Sequence, residues 1–96
     1  MARAQPVNIG GIDFPKKSAA LAHLRGILYR FEFEERISGA DEEFLKAAIE
    51  RHPDYLEKTG VGIEQFFVGR GDFGTRCFWV RRIDGTEVRF SFKSCV

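Results

Sequence analysis

An α+β fold is predicted for this 96-residue chain: two N-terminal α-helices packed on a C-terminal antiparallel sheet of three to four strands. Apolar residues recur at three- and four-residue spacing at Leu21, Leu24, Leu28 and Phe31, and again at Phe44, Leu45, Ala48 and Ile49. That is the stripe of a helix packed on one side. Beyond Ile63 the period falls to two, as in strands with one buried face. Between two of the alternating runs stands Asp84-Gly85, the dipeptide best suited to a tight hairpin turn.

The length allows one domain, residues 1–96, because a second core would leave each half with too little buried surface. Hydrophobic residues make up 44% and charged residues 30%, the balance of an ordinary folded protein. Ten phenylalanines mark the main core residue, since each buried ring removes about 150–250 Å² from water. Residues 1–6 are expected to be a flexible N-terminus.

Val7 to Ile12 alternates and is read as a short edge strand broken by Gly10 and Gly11. Pro15 then opens a helix, Lys16 to Arg30, with Asp13 or Ser18 as its cap. Ser38-Gly39-Ala40 interrupts the pattern, and Asp41 is placed as the cap of a second helix with Glu42 and Glu43 in its first turn. Pro53 ends that helix by His52. Asp54 to Gly62 reads as a loop, and three strands follow at Ile63–Val68, Cys77–Ile83 and Glu87–Lys93. With residues 84 and 85 as a two-residue turn, Ile83 faces Thr86, Arg81 faces Val88, Trp79 faces Phe90 and Cys77 faces Phe92. Cys77, Trp79, Val88, Phe90 and Phe92 then form the core side. Arg76, Phe78, Val80, Arg82 and Arg89 form the other.

Charge is unevenly distributed although the net value is only +1. Lys16, Lys17, Arg25 and Arg30 stand in the first helical segment with no acid among them, while nine acids outnumber three bases between Glu32 and Glu57. The remainder is basic again. One basic and one acidic surface are therefore expected.

No residue set spells out a reaction, so an enzyme is not predicted. His23 and His52 lack a metal-binding or catalytic spacing, and Cys77 with Cys95 is too small a set for a zinc site. No metal or cofactor is implied. His23 is placed on the exposed side of the first helix, and His52 as a structural residue at the end of the second. Cys95 has the opposite parity to Phe92, which argues against a disulfide with an inward-facing Cys77. Gly69-Arg70-Gly71-Asp72-Phe73-Gly74 lacks the Lys and Ser/Thr of a phosphate loop and reads as a connection between strands. No apolar run is long enough for a secretory signal or a membrane span, so a cytoplasmic setting is the expectation.

One constellation points to binding. Arg76, Phe78, Arg82, Arg89 and Lys93 on the sheet, with Lys16 and Lys17 on the first helix, combine phosphate-pairing cations with a ring able to stack an unpaired base. Such a set suits single-stranded RNA. The alternative is that Phe78 and Val80 lie beneath a helix, leaving only the charges at the rim.

Phe14, Lys16, Ile27-Leu28, His52-Pro53, Lys58, Gly60, Gly62-Ile63, Val68, Cys77-Phe78, Arg82, Asp84-Gly85, Phe90-Ser91 and Lys93-Ser94-Cys95, in this order, resemble the DCL (defective chloroplasts and leaves) family. This chain looks like a free-standing bacterial-type relative without a transit peptide. The resemblance implies RNA, since plant members are associated with plastid ribosomal RNA maturation and similar domains end the largest subunit of plant-specific RNA polymerases. It brings no catalytic residue. Two functions are therefore expected as rivals: an RNA-binding accessory domain in ribosomal RNA processing, or a protein-interaction module that docks a basic partner on Glu42, Glu43 and Glu50 of the second helix.

Overall fold

The computed structural model describes residues 6–96, in which three helices and two antiparallel sheets make an α+β fold. The flexible stretch expected at 1–6 lies, except for Pro6, outside the described residues. β1 (Val7–Ile9) and β2 (Ile12–Phe14) form a hairpin of their own around Gly10-Gly11. The glycines turn the chain where a single broken strand was expected. Ile9 and Phe14 carry the hairpin into the core.

α1 (Lys17–Arg30) begins after an extended Lys16 whose side chain makes no cap, so neither Asp13 nor Ser18 caps the helix. Asp13 is occupied across the hairpin, accepting the Asn8 side-chain amide at 2.7 Å. Ala20, Leu24, Ile27 and Leu28 form the buried stripe, rotated slightly from the predicted one so that Leu21 is only half-buried. His23 also moves from its expected exposed position. Its ring packs against Phe44 at 4.4 Å and Phe14 at 5.5 Å between centroids.

β3 (Arg36–Ile37) is too short to show a period and was not foreseen. α2 (Ala40–Ile49) starts two residues earlier than expected, with Gly39 at the cap position. Asp41 lies in the first turn and pairs with Arg30. The predicted loop after Pro53 contains a further single-turn helix, α3 (Tyr55–Thr59).

β4 (Ile63–Arg70), β5 (Arg76–Arg82) and β6 (Glu87–Phe90) follow, and the main sheet runs β3-β4-β5-β6. Phe92–Cys95 is a 3₁₀ turn where the last strand was expected to continue to Lys93.

The largest departure from expectation is the β5–β6 turn. Gly85 N–H donates to Arg82 O at 2.9 Å, and Arg82 N–H donates to Thr86 O at 2.8 Å, so the loop has three residues, 83 to 85. Gly85 has φ +88, which closes a glycine bulge that a residue with a Cβ would strain. The additional residue shifts the register by one: Phe78 faces Phe90, Trp79 faces Arg89, Val80 faces Val88 and Arg81 faces Glu87. Since side chains alternate, every residue of β5 exchanges sides relative to expectation. Phe66, Val68, Phe78, Val80 and Phe90 pack against Leu24, Ile27, Leu45 and Ile49 in the core. Gln65, Phe67, Gly69, Cys77, Trp79, Arg81, Glu87 and Arg89 alternate with them on the outer face.

Candidate functional site

The register change divides the predicted basic face. Phe78 is fully buried and stacks on Phe90 with ring centroids 5.7 Å apart, so it cannot offer a surface ring to a base. This is the covered arrangement weighed against RNA binding at the sequence level. Arg76 and Arg82 turn inward at the two ends of β5. Arg76 Nη1 donates to Phe31 O at 2.6 Å and to Leu28 O at 3.4 Å, satisfying carbonyls at the end of α1 that have no intrahelical partner. Its guanidinium also lies 4.9 Å from the Phe33 ring centre and 5.3 Å from that of Tyr29. Arg82 clasps α3, donating to Glu57 O at 2.7 Å and to Lys58 O at 3.2 Å. Gly60 ends α3 beneath this side chain, and a Cβ there would stand 2.8 Å from Arg82 Nε. The Gly62 carbonyl accepts from Ile83 N–H at 3.0 Å, tying the α3–β4 link to the hairpin turn.

Several other predicted residues converge. A groove of about 660 Å³ runs beside β6 and the terminal turn, and it gathers His52, Lys58, Arg76, Arg89, Ser91 and Lys93. Asp54 and Asp72 are its acidic members, so four cations meet two carboxylates. Arg89 pairs with Asp72 at 2.9 Å, with both side chains well exposed. Lys58 and Lys93 have no ion pair among the described residues. Lys16 and Lys17 are exposed at the start of α1 and do not line this groove.

His52 is buried behind the groove, and its Nδ1 accepts the backbone N–H of Asp54 at 3.0 Å, bridging the exposed Pro53. The imidazole thereby organises the bend between α2 and α3. The C-terminal residues serve the fold in a similar way: Cys95 O accepts from Arg51 Nε at 2.9 Å, and Ser91 O accepts from Ser94 N–H at 3.1 Å. Asp84 Oδ1 accepts the Thr86 hydroxyl at 2.6 Å and the Thr86 N–H at 3.0 Å, and these bonds hold its carboxyl below the usual range.

The two thiols exchange their expected settings. Cys95 is buried and Cys77 is half-buried, both are free, and burial pushes the Cys95 thiol up to about 11. Burial likewise raises Cys77, against an opposing pull from Arg89. Both are protonated at neutral pH and therefore poor nucleophiles. On α2, Glu42 pairs with Arg36 at 3.2 Å and Glu43 with Lys46 at 3.4 Å, so much of the acidic helix is already matched within the chain.

Sequence reasoning missed the outer-face aromatics. Trp79 had been placed in the core, yet it stacks on Phe67 outside it, with centroids 6.0 Å apart and planes at 19°. Cross-strand pairing held the missing signal. The observed register sets Phe78 against Phe90, Val80 against Val88 and Arg81 against Glu87, whereas the two-residue turn opposes Val80 to Arg89.

No helix among the described residues is long and apolar enough to cross a membrane. Among known proteins, the chain is similar to an uncharacterised protein of Rhodospirillum rubrum solved by solution NMR, at 46% identity and a TM-score of 0.89, covering 100% of this chain and 92% of that one. It is also similar to DNA-directed RNA polymerase IV subunit 1 of Arabidopsis thaliana, 38% identical over 74 residues. That match takes in 76% of this chain but spans 5% of the length of the polymerase subunit. A family described as "protein of unknown function (DUF3223)" matches residues 25–96, most of the helices and the whole main sheet, and the chain belongs to that family.

Proposed function

We propose that the chain is a single-stranded RNA-binding accessory domain whose phosphate contacts lie in the groove beside β6. The observation that carries this reading is the meeting of Lys58, Arg76, Arg89 and Lys93 in one groove against only Asp54 and Asp72. Arg76 is committed to backbone carbonyls, so Lys58, Arg89 and Lys93 are the cations available to a ligand. Releasing Arg89 from an exposed carboxylate costs little, since such pairs contribute about 0–1 kcal/mol. A phosphate can take the place of Asp72. The similarity to an RNA polymerase subunit supports a setting close to RNA. The resemblance to the DCL family, carried by residues such as His52-Pro53, Lys58, Gly60, Gly62 and Asp84-Gly85, supports the narrower reading that the RNA is a ribosomal precursor.

The test is retention of RNA by natively purified protein, with sequencing of what co-elutes, compared with a Lys58/Arg89/Lys93 triple-alanine variant. Ribosomal precursor fragments should be enriched with the parent and lost from the variant, and binding should weaken steeply with salt. Each single replacement should lower the number of ions released by about one. Failure to retain any RNA at low ionic strength sinks the reading.

A further inference from the structure

We propose that Trp79, on the outer face of the main sheet, is a stacking platform for an unpaired base, adjoining the phosphate-binding groove. This rests on the function proposed above and adds the position of the base. The ring is pre-set in a flat pose. Its Nε1–H donates to Arg70 O at 3.2 Å, and it lies over Gly69, where a Cβ would stand 2.6 Å from the indole Cδ1. Only glycine at 69 allows the indole to lie this close to the strand. Phe67 supports it from the side, and the Arg81 guanidinium lies 5.7 Å from the Phe67 ring centre. Phe67 is only 4% exposed yet stands apart from the main core, so its cover is this aromatic and guanidinium layer. Trp79 itself is partly exposed, and no second ring stacks on it among the described residues.

Charge favours a nucleic acid as the occupant of this face. Arg36, Arg81 and Arg89 are cations of its strands and Glu87 an acid, and Arg36 is paired with Glu42 of α2 at 3.2 Å. Arg81 is held by Glu87 at 2.7 Å and Arg89 by Asp72 at 2.9 Å, both exposed pairs that a phosphate can displace. Arg89 sits directly opposite Trp79 on β6 and also lines the groove, so one strand can place its backbone in the groove and a base on the indole. A duplex hides its base faces and would gain nothing from the ring, so the ligand is single-stranded.

Trp79 is the only tryptophan of the chain, so its emission reports this ring alone. The full chain would be titrated at low salt with end-labelled ten-residue oligouridylate and with an abasic strand of equal length, following label anisotropy and tryptophan emission together. Both strands should raise anisotropy, but only the base-bearing strand should quench emission, with the same midpoint. Trp79→Ala should weaken the base-bearing strand about tenfold and leave the abasic strand unchanged, while Trp79→Phe should keep most of the affinity. Because quenching is read on the unmodified chain, a variant that fails to fold does not decide the result. Binding of oligouridylate with unchanged emission overturns this inference and leaves the groove reading intact. No rise in anisotropy with either strand overturns the groove reading. Emission that depends on protein concentration alone identifies a second copy as the occupant and overturns the platform.

Discussion

Arg76 and Arg82 lie on the helix side of β5, while Arg81 of the same strand and Arg89 of its neighbour lie on the outer side. The first pair is spent on carbonyls: Arg76 on the end of α1 and Arg82 on the end of α3, at 2.6 to 3.4 Å. The second pair is held by exposed carboxylates, and Arg81 also lies over the Phe67 ring. Four identical side chains thus divide into fasteners and available cations by the parity of their position. The aromatics divide in the same way, with Phe78 in the core and Trp79 on the surface, one residue apart.

The sharpest way to break this contrast is to truncate the two rings. Phe78→Ala should cost about 3–5 kcal/mol by leaving a cavity among packed rings, enough to unfold much of the population, whereas Trp79→Ala should cost less than half of that. Denaturant titration followed by circular dichroism would measure both, and equal costs would erase the distinction between faces. Next in size is Arg82→Ala, which strips charged donors from two carbonyls and should cost about 2 kcal/mol. Its melting temperature should fall by roughly 10 °C, and Arg82→Lys should recover little because an ammonium cannot reproduce the fork.

The thiols extend the contrast to pH. The Cys95 thiol sits at about 11 in the fold, above roughly 8.5 in an unfolded chain. The unfolded state therefore releases its proton first. Stability is fully present below about pH 8.5 and falls as pH rises toward 11, by on the order of 3 kcal/mol. A Cys95→Ser variant should lose stability at neutral pH but show a flatter profile over that alkaline window, as thermal melts in matched buffers would reveal.

The smallest effect concerns Phe73, at the tip of the β4–β5 loop. It is fully exposed and holds φ +59, a conformation that costs a non-glycine residue about 1–2 kcal/mol. Phe73→Gly should therefore raise stability by about 1 kcal/mol, visible as a melting temperature several degrees higher. No gain would show that the ring contributes contacts which offset its backbone.

The α+β class, α1, α2 and the three long strands were legible because their periods extend over several residues. β3 and α3 were not. A two-residue strand and a single helical turn are shorter than the period that would announce them, and both form because neighbours bind them: β4 pairs with Arg36 and Ile37, and Arg82 clasps the end of α3. The candidate site was legible in its ingredients and misplaced in its geometry. Arg89, Lys93, Lys58 and His52 do meet in one groove, but Phe78 and Trp79 exchanged roles because Asp84-Gly85 was counted as the whole turn. Residue types announce what chemistry is at hand, and parity decides which side receives it.

For anyone redesigning this chain, the bulge at Gly85 makes loop length a control over sidedness. At unchanged chain length, a two-residue turn at 84 and 85 would draw Ile83 into the ladder opposite Thr86, and β6 would have to turn over against β5. That movement would bring Arg89 toward the hydrophobic interior and Phe90 toward water without changing a single side chain. Grafts, linkers and tags belong elsewhere, and this short loop should be kept at its native count.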